Sequence, residues 1–140
     1  MATPANVQAV NINDLKRFAP DARVNQLVLN SKDLVTRMNC YEPGQITPQH
    51  LHPDDDEVVF CVEGRGAVKF EGRDDVPLTL GTIVNLPAGL AHWIEAAPDS
   101  RMVVVYWASA RYTSVRMHSE AGYSDVRLPG EQPPTPRGTA

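Results

Sequence analysis

Two histidines, His50 and His52, stand one residue apart in "QHLHPDDDEVVFCVEG", and Glu57 follows five positions after the second. Side chains at i and i+2 of a strand project from the same face. Two imidazoles placed that way can share one ion. Past the "PDDD" turn, a hairpin could swing the Glu57 carboxylate back to the same ion. His92 follows "NLPAGLA", a loop with Pro87 and Gly89 that re-enters a strand. Three imidazoles and one carboxylate make a mixed nitrogen and oxygen donor set, which suits Fe, Mn, Co, Ni or Zn better than Mg or Ca. On an octahedral ion such a set leaves positions open. Open positions distinguish a reactive site from a purely structural one.

These residues need elements to hold them. "VNQLVL" (24–29), "LVTRMNCY" (34–41), "VVFCVEG" (58–64), "GAVKFEG" (66–72), "TIVNL" (82–86), "HWIEA" (92–96) and "RMVVVYWA" (101–108) read as short strands rich in β-branched or aromatic residues. Turn formers such as "EPG", "HPDDD", "EGRG", "GRDDVP", "PAG" and "APDS" separate them. No sustained helical period interrupts the series, so the pattern predicts an all-β sandwich or barrel and leaves its topology open. Residues 1–20 are polar and irregular, with a short helical turn at "INDLKRFA". The tail 116–140 is rich in proline and poor in apolar residues, and is expected to be extended or disordered. The barrel is therefore assigned to 21–115.

At this point the residues resemble a known family, the cupins. The first cupin motif is matched by Gly44, "QITPQ", His50-Leu51-His52, "PDDD", Glu57, "VVFCVE" and Gly64. The second is matched by Gly81, "TIVNL", Pro87-Ala88-Gly89, "LA", His92 and "WIE", with Ala96 where the motif closes on asparagine. That asparagine is not a ligand, so its loss leaves the metal site untouched. The resemblance covers about residues 24–112. It implies a jelly-roll barrel (a double-stranded β-helix) with His50, His52, Glu57 and His92 as ligands of one divalent transition metal per chain. It also implies a homodimer, with the N-terminal strand packing across to the partner.

Alternation from Glu57 turns Val59 and Cys61 to the ligand face, and alternation from His92 turns Ile94 inward and Trp93 outward. Two phases stay open for 101–108. Either Met102, Val104 and Tyr106 face in, or Arg101, Val103, Val105 and Trp107 do. A pocket built on Val59, Cys61, Ile94 and Tyr106 would be mostly apolar and would suit a small organic substrate with a polar group that chelates the metal. Asp54, Asp55 and Asp56 read as a solvated turn, and His118 as a surface residue. Cys40 and Cys61 read as two buried small hydrophobes, because one pair of cysteines is no disulfide framework.

The net charge of −4, with no cluster of Lys and Arg, argues against nucleic acid. No apolar run reaches the roughly 20 residues of a membrane span. The N-terminus lacks the pattern of a secretory signal, so the cytoplasm is the expected compartment. Three functions are weighed. The first is an Fe(II)-dependent dioxygenase in which Glu57, displaced on substrate binding, takes up a proton. The second is a non-redox Lewis-acid isomerase, cyclase, lyase or decarboxylase using Mn, Ni, Co or Zn. The third is a ligand-binding or sensing module, which would not need four intact ligands. The cupins that oxidise thiols usually depart from the glutamate-bearing motif, so that subclass is disfavoured.

Overall fold

The computed structural model describes residues 7–116. Ten strands follow a single 3-10 turn at Ile12–Asp14: β1 Val24–Asn30, β2 Leu34–Tyr41, β3 His50–Leu51, β4 Glu57–Gly64, β5 Gly66–Lys69, β6 Val76–Leu78, β7 Ile83–Leu86, β8 Trp93–Ala96, β9 Met102–Ser109 and β10 Val115–Arg116. All pairings between them are antiparallel. One sheet has the order β1-β2-β9-β4-β7. The opposing layer consists of β6-β5-β8 and the pair β10-β3, linked by the bridges Ile46↔Glu95 and His50↔His92. The chain folds as the expected jelly-roll barrel.

Three strands escaped the sequence reading. β3 and β10 are only two residues long. β6 carries Pro77, which usually argues against a strand. It lies at the edge of its sheet, where a missing N–H donor leaves no ladder bond broken.

The barrel interior is filled by Tyr41, Val59, Cys61, Val68, Leu78, Leu86, Ile94, Met102, Val104 and Tyr106, among others. This fixes the phase of β9: Met102, Val104 and Tyr106 face in. The opposite face of the large sheet is not left to water. Met38, Cys40, Val103 and Val105 are buried there under Ile12, Leu15 and Phe18. The N-terminal segment, polar overall, therefore acts as an apolar strap. That is why β9 is buried on both faces and reads as a continuous run, "MVVVYWAS", rather than an alternation. Lys16 fastens the strap through an ion pair of 2.8 Å to Glu63, and Arg101 lies over the Phe18 ring.

The turn between β4 and β5 demands glycine twice. Gly64 has φ +69°, and a Cβ there would lie 1.7 Å from the Arg101 carbonyl oxygen. A Cβ on Gly66 would lie 2.2 Å from the Glu95 carbonyl oxygen. Both cysteines are buried and unpaired, as the sequence suggests. Among the described residues, no helix is long and apolar enough to cross a membrane. The tail from 117 onward, with His118, lies outside the described residues.

Candidate metal centre

Three chain segments build the site. β3 carries His50, and His52 follows it directly. Glu57 opens β4, and His92 immediately precedes β8. His50 and His92 are tied backbone to backbone, with reciprocal N–H···O bonds of 3.0 and 2.9 Å. A second clamp joins the two motif loops. The Gly89 N–H donates to the His52 carbonyl at 2.7 Å, and the Ala88 N–H donates to the Asp56 carboxylate at 2.9 Å. Asp54 and Asp56 are exposed, as a solvated turn requires. Asp56 nevertheless has a specific task, holding the "PAG" loop against the "PDDD" turn.

Each imidazole is oriented by a backbone carbonyl. His50 Nδ1 lies 2.7 Å from the Pro48 oxygen, His52 Nδ1 2.8 Å from that of Thr113, and His92 Nδ1 2.9 Å from that of Leu90. A carbonyl only accepts, so these contacts place the proton on Nδ1 and leave the Nε2 lone pair free as a ligand. One potential ligand atom from each of His50, His52, Glu57 and His92 lies within 4.8 Å of the others. His52, Glu57 and His92 are buried and His50 is half-buried.

The site fits a metal ion by a specific test. The buried Nε2 atoms of His52 and His92 have no hydrogen-bond partner. His52 Nε2 lies 2.5 Å from Glu57 Oε2, and His92 Nε2 4.0 Å from Oε1. The shorter contact does not meet the geometry of a hydrogen bond, and both ring nitrogens lie within 4.8 Å of each other and of a Glu57 oxygen, within reach of one point. Unsatisfied buried polar atoms are costly and rare in native proteins. A cation at that point would satisfy several at once.

The electrostatics agree. Burial, and next the neighbouring His92, hold His50 down to about 3, so it is a neutral ligand at neutral pH. Burial likewise lowers His92. Burial pushes His52 down too, but the Glu57 carboxylate reverses this and the net shift is upward. Burial raises Glu57, and the adjacent imidazoles, His52 foremost, bring it below its ordinary value. The carboxylate is thus charged in the pocket and available to a cation.

The cavity beside these residues has about 30 Å³ of free space, room for an ion and little more than a water or two. Ile94 lines it, as alternation suggests, and so does Tyr106, from the phase of β9 that alternation left open. Val59 and Cys61 face the barrel interior as well, but they sit in the packed core and are not among the cavity-lining residues. The lining is not mostly apolar. Arg23, Asn39, Thr47, Ser114 and Arg116 contribute to it, together with Tyr112, whose ring stands edge-on to His52 at 5.3 Å between centroids. Alternation from the motif histidines could not find these residues, because Arg23 precedes β1, Asn39 lies in β2, Thr47 lies between β2 and β3, and Tyr112, Ser114 and Arg116 lie in β10 or just before it. One signal was available. Arg37 and Asn39 are polar residues at alternate positions of an apolar strand that continues to Tyr41, and that phase faces the interior.

The profile of the family described as "Cupin domain" matches residues 37–108. An acireductone dioxygenase from Gluconobacter oxydans is 32% identical over 113 residues, covering 74% of this chain and 59% of that protein. An L-ectoine synthase from Aliivibrio fischeri is 29% identical over 83 residues, covering 59% of this chain and 65% of that protein. The chain therefore spans about six tenths of the length of these curated relatives. Among solved structures, the polyketide cyclase RemF from Streptomyces resistomycificus superposes with a TM-score of 0.69 at 15% identity, over 84% of this chain and 89% of that one. That likeness speaks to the fold alone.

Proposed function

The chain belongs to the cupin family, and from that premise we propose that it is a metal-dependent enzyme acting on a small organic substrate that chelates the metal, foremost an Fe(II)-dependent dioxygenase. The observation that carries this reading is the convergence of His50, His52, Glu57 and His92, with two buried Nε2 atoms left without partners. The similarity to acireductone dioxygenase supports oxygen chemistry within it.

These four side chains would hold the ion, which when bound would polarise a chelating substrate and, if iron, supply the redox capacity for O₂. The chain's own residues do the rest. The carbonyls of Pro48, Thr113 and Leu90 fix the three imidazole tautomers. Glu57, buried against His52, is the group that can take up a proton at a carboxylate oxygen when substrate enters. Tyr112 and Tyr106 wall the cavity and restrict water.

A second reading is favoured by the similarity to L-ectoine synthase: Lewis-acid chemistry without oxygen, on the same ligands, with Mn, Ni, Co or Zn. Elemental analysis of untagged protein tests the shared part and should find about one equivalent of transition metal per chain. Oxygen consumption by the iron-loaded protein with chelating substrates then separates the two. Turnover that persists without oxygen and with Zn would replace the dioxygenase reading by the Lewis-acid one. Protein that stays metal-free and cannot be reconstituted would overturn both.

A further inference from the structure

Resting on that reading of the site, we propose that Arg23 and the Tyr106 hydroxyl form a carboxylate-binding subsite, so that the substrate is a small organic acid with its chelating end at the His50, His52, Glu57 and His92 group and its carboxylate at this pair.

Arg23 lines the same cavity as His50, His52 and Glu57. Its Nε is shut off from water and has no hydrogen-bond partner. Among the described residues, carboxylates pair with Lys16, Arg65, Lys69, Arg101 and Arg111, and none with Arg23. Glu57 is the one carboxylate among the cavity-lining residues, and it is engaged with His52. A guanidinium N–H buried without a partner is destabilising, and an incoming anion removes that cost.

Tyr106 completes the pair. Its oxygen accepts from Asn25 Nδ2 at 2.7 Å. Asn25 is itself held, donating to Asn39 Oδ1 at 2.6 Å and accepting from Arg37 Nη1 at 3.2 Å. With its acceptor role filled, the hydroxyl has its own proton to give, and among the described residues no acceptor takes it. Burial raises its pKa well above the ordinary value, so the proton stays in place.

The backbone just ahead of Arg23 is fixed in advance. Gln45 Nε2 donates to the Ala19 carbonyl at 2.8 Å and to that of Pro20 at 3.4 Å. A guanidinium N–H without a partner and a hydroxyl donor, both lining one cavity, suit a planar carboxylate. Arg116, also at the cavity, has contacts of its own and is not needed for this assignment.

The test uses Co(II)-reconstituted full-length protein with its metal content measured. Acetohydroxamate is titrated calorimetrically against malonic and succinic monohydroxamates, which share its chelating head and add a carboxylate. At least one acid should bind about tenfold or more tighter than acetohydroxamate, the scale of one charge-assisted hydrogen-bonded contact. Arg23→Gln should cancel that preference and leave acetohydroxamate unchanged. Arg23→Lys should keep part of it, and Tyr106→Phe should reduce it severalfold. Thermal melting checks that each variant is folded. Equal affinities in the unaltered, metal-loaded protein, or a preference that survives Arg23→Gln, would overturn the subsite and spare the metal centre. Protein that takes up no metal would overturn both.

Discussion

His52 Nε2 and Glu57 Oε2 lie 2.5 Å apart inside the barrel without the alignment of a hydrogen bond. His52 Nδ1 is already committed to the Thr113 carbonyl, so rotating the ring to improve one contact would break the other. The imidazole is held with Nε2 close to His92 Nε2 and to the Glu57 carboxylate, and both ring nitrogens lack a hydrogen-bond partner. Such an arrangement is poor as an isolated ion pair and good as half of a coordination shell.

Loss of a ligand should separate metal binding from folding. His50→Ala or His92→Ala is expected to weaken metal binding by more than the 10- to 100-fold or so typical of losing a supporting hydrogen bond to a ligand. The barrel should persist, because its core is built from β-strand burial of apolar side chains such as Val59, Val68, Met102 and Val104. Equilibrium dialysis and circular dichroism provide the measurements. Complete unfolding of either variant under native conditions would mark the metal as structural and weaken the enzymatic reading.

The carbonyl of Thr113 gives the C-terminal strand a role at the site. A chain ending at residue 112 loses that acceptor and the pairing of β10 with β3. Its metal affinity should fall about 10- to 100-fold, the usual penalty for losing a group that orients a ligand. A chain ending at residue 116 retains both and should bind metal as the full chain does. Equal affinities for the two truncations would show that Thr113 does not set the His52 ring.

Acid should destabilise the metal-free protein. His50 and His92 are held below their ordinary value of 6.5 when folded. Their contribution to stability is present above 6.5 and is lost as pH falls toward about 3, the value to which His50 is held. Glu57, also lowered, acts in the same direction below its ordinary 4.5. His52 is raised, so its contribution is fully present below 6.5 and is lost as pH rises through its folded value. Below 6.5 the His52 contribution is constant and opposes nothing, so His50 and His92, joined by Glu57 below 4.5, should lower the melting temperature steadily from about pH 6.5 downward. A flat or rising profile would contradict the assignment. Metal uptake, in turn, should release a proton at any pH where His52 carries one on Nε2, because coordination displaces it.

Neither glycine of the β4–β5 turn, Gly64 or Gly66, should tolerate a side chain. Gly64→Ala places a methyl against the Arg101 carbonyl and demands a left-handed φ. A loss of about 3 kcal/mol or more in chemical denaturation is expected. Gly66→Ala should also destabilise, through the Glu95 carbonyl, but without the φ penalty. Gly72→Ala is the control, because it shares a positive φ of 74° but a Cβ there meets nothing within 4 Å. If Gly64→Ala cost no more than Gly72→Ala, the close approach would have no energetic weight.

The sequence by itself determined the candidate ligand group and the class of fold. His50, His52, Glu57 and His92 sit at fixed offsets from turn residues, and short-range spacing of that kind survives in one dimension. Strand alternation also placed Ile94 toward the interior, but it left the choice between the two phases of β9, and with it the side of Tyr106, open. That choice fell to the tertiary structure, because the strap of Ile12, Leu15 and Phe18 buries the outer face of the sheet and erases the polar signal that alternation needs. The polarity of the cavity was equally out of reach. Arg23, Asn39, Tyr112 and Ser114 come from distant strands and loops. Their meeting depends on the register of β2 against β9 and of β10 against β3, which is set by the packing of the whole barrel rather than by any local run of residues.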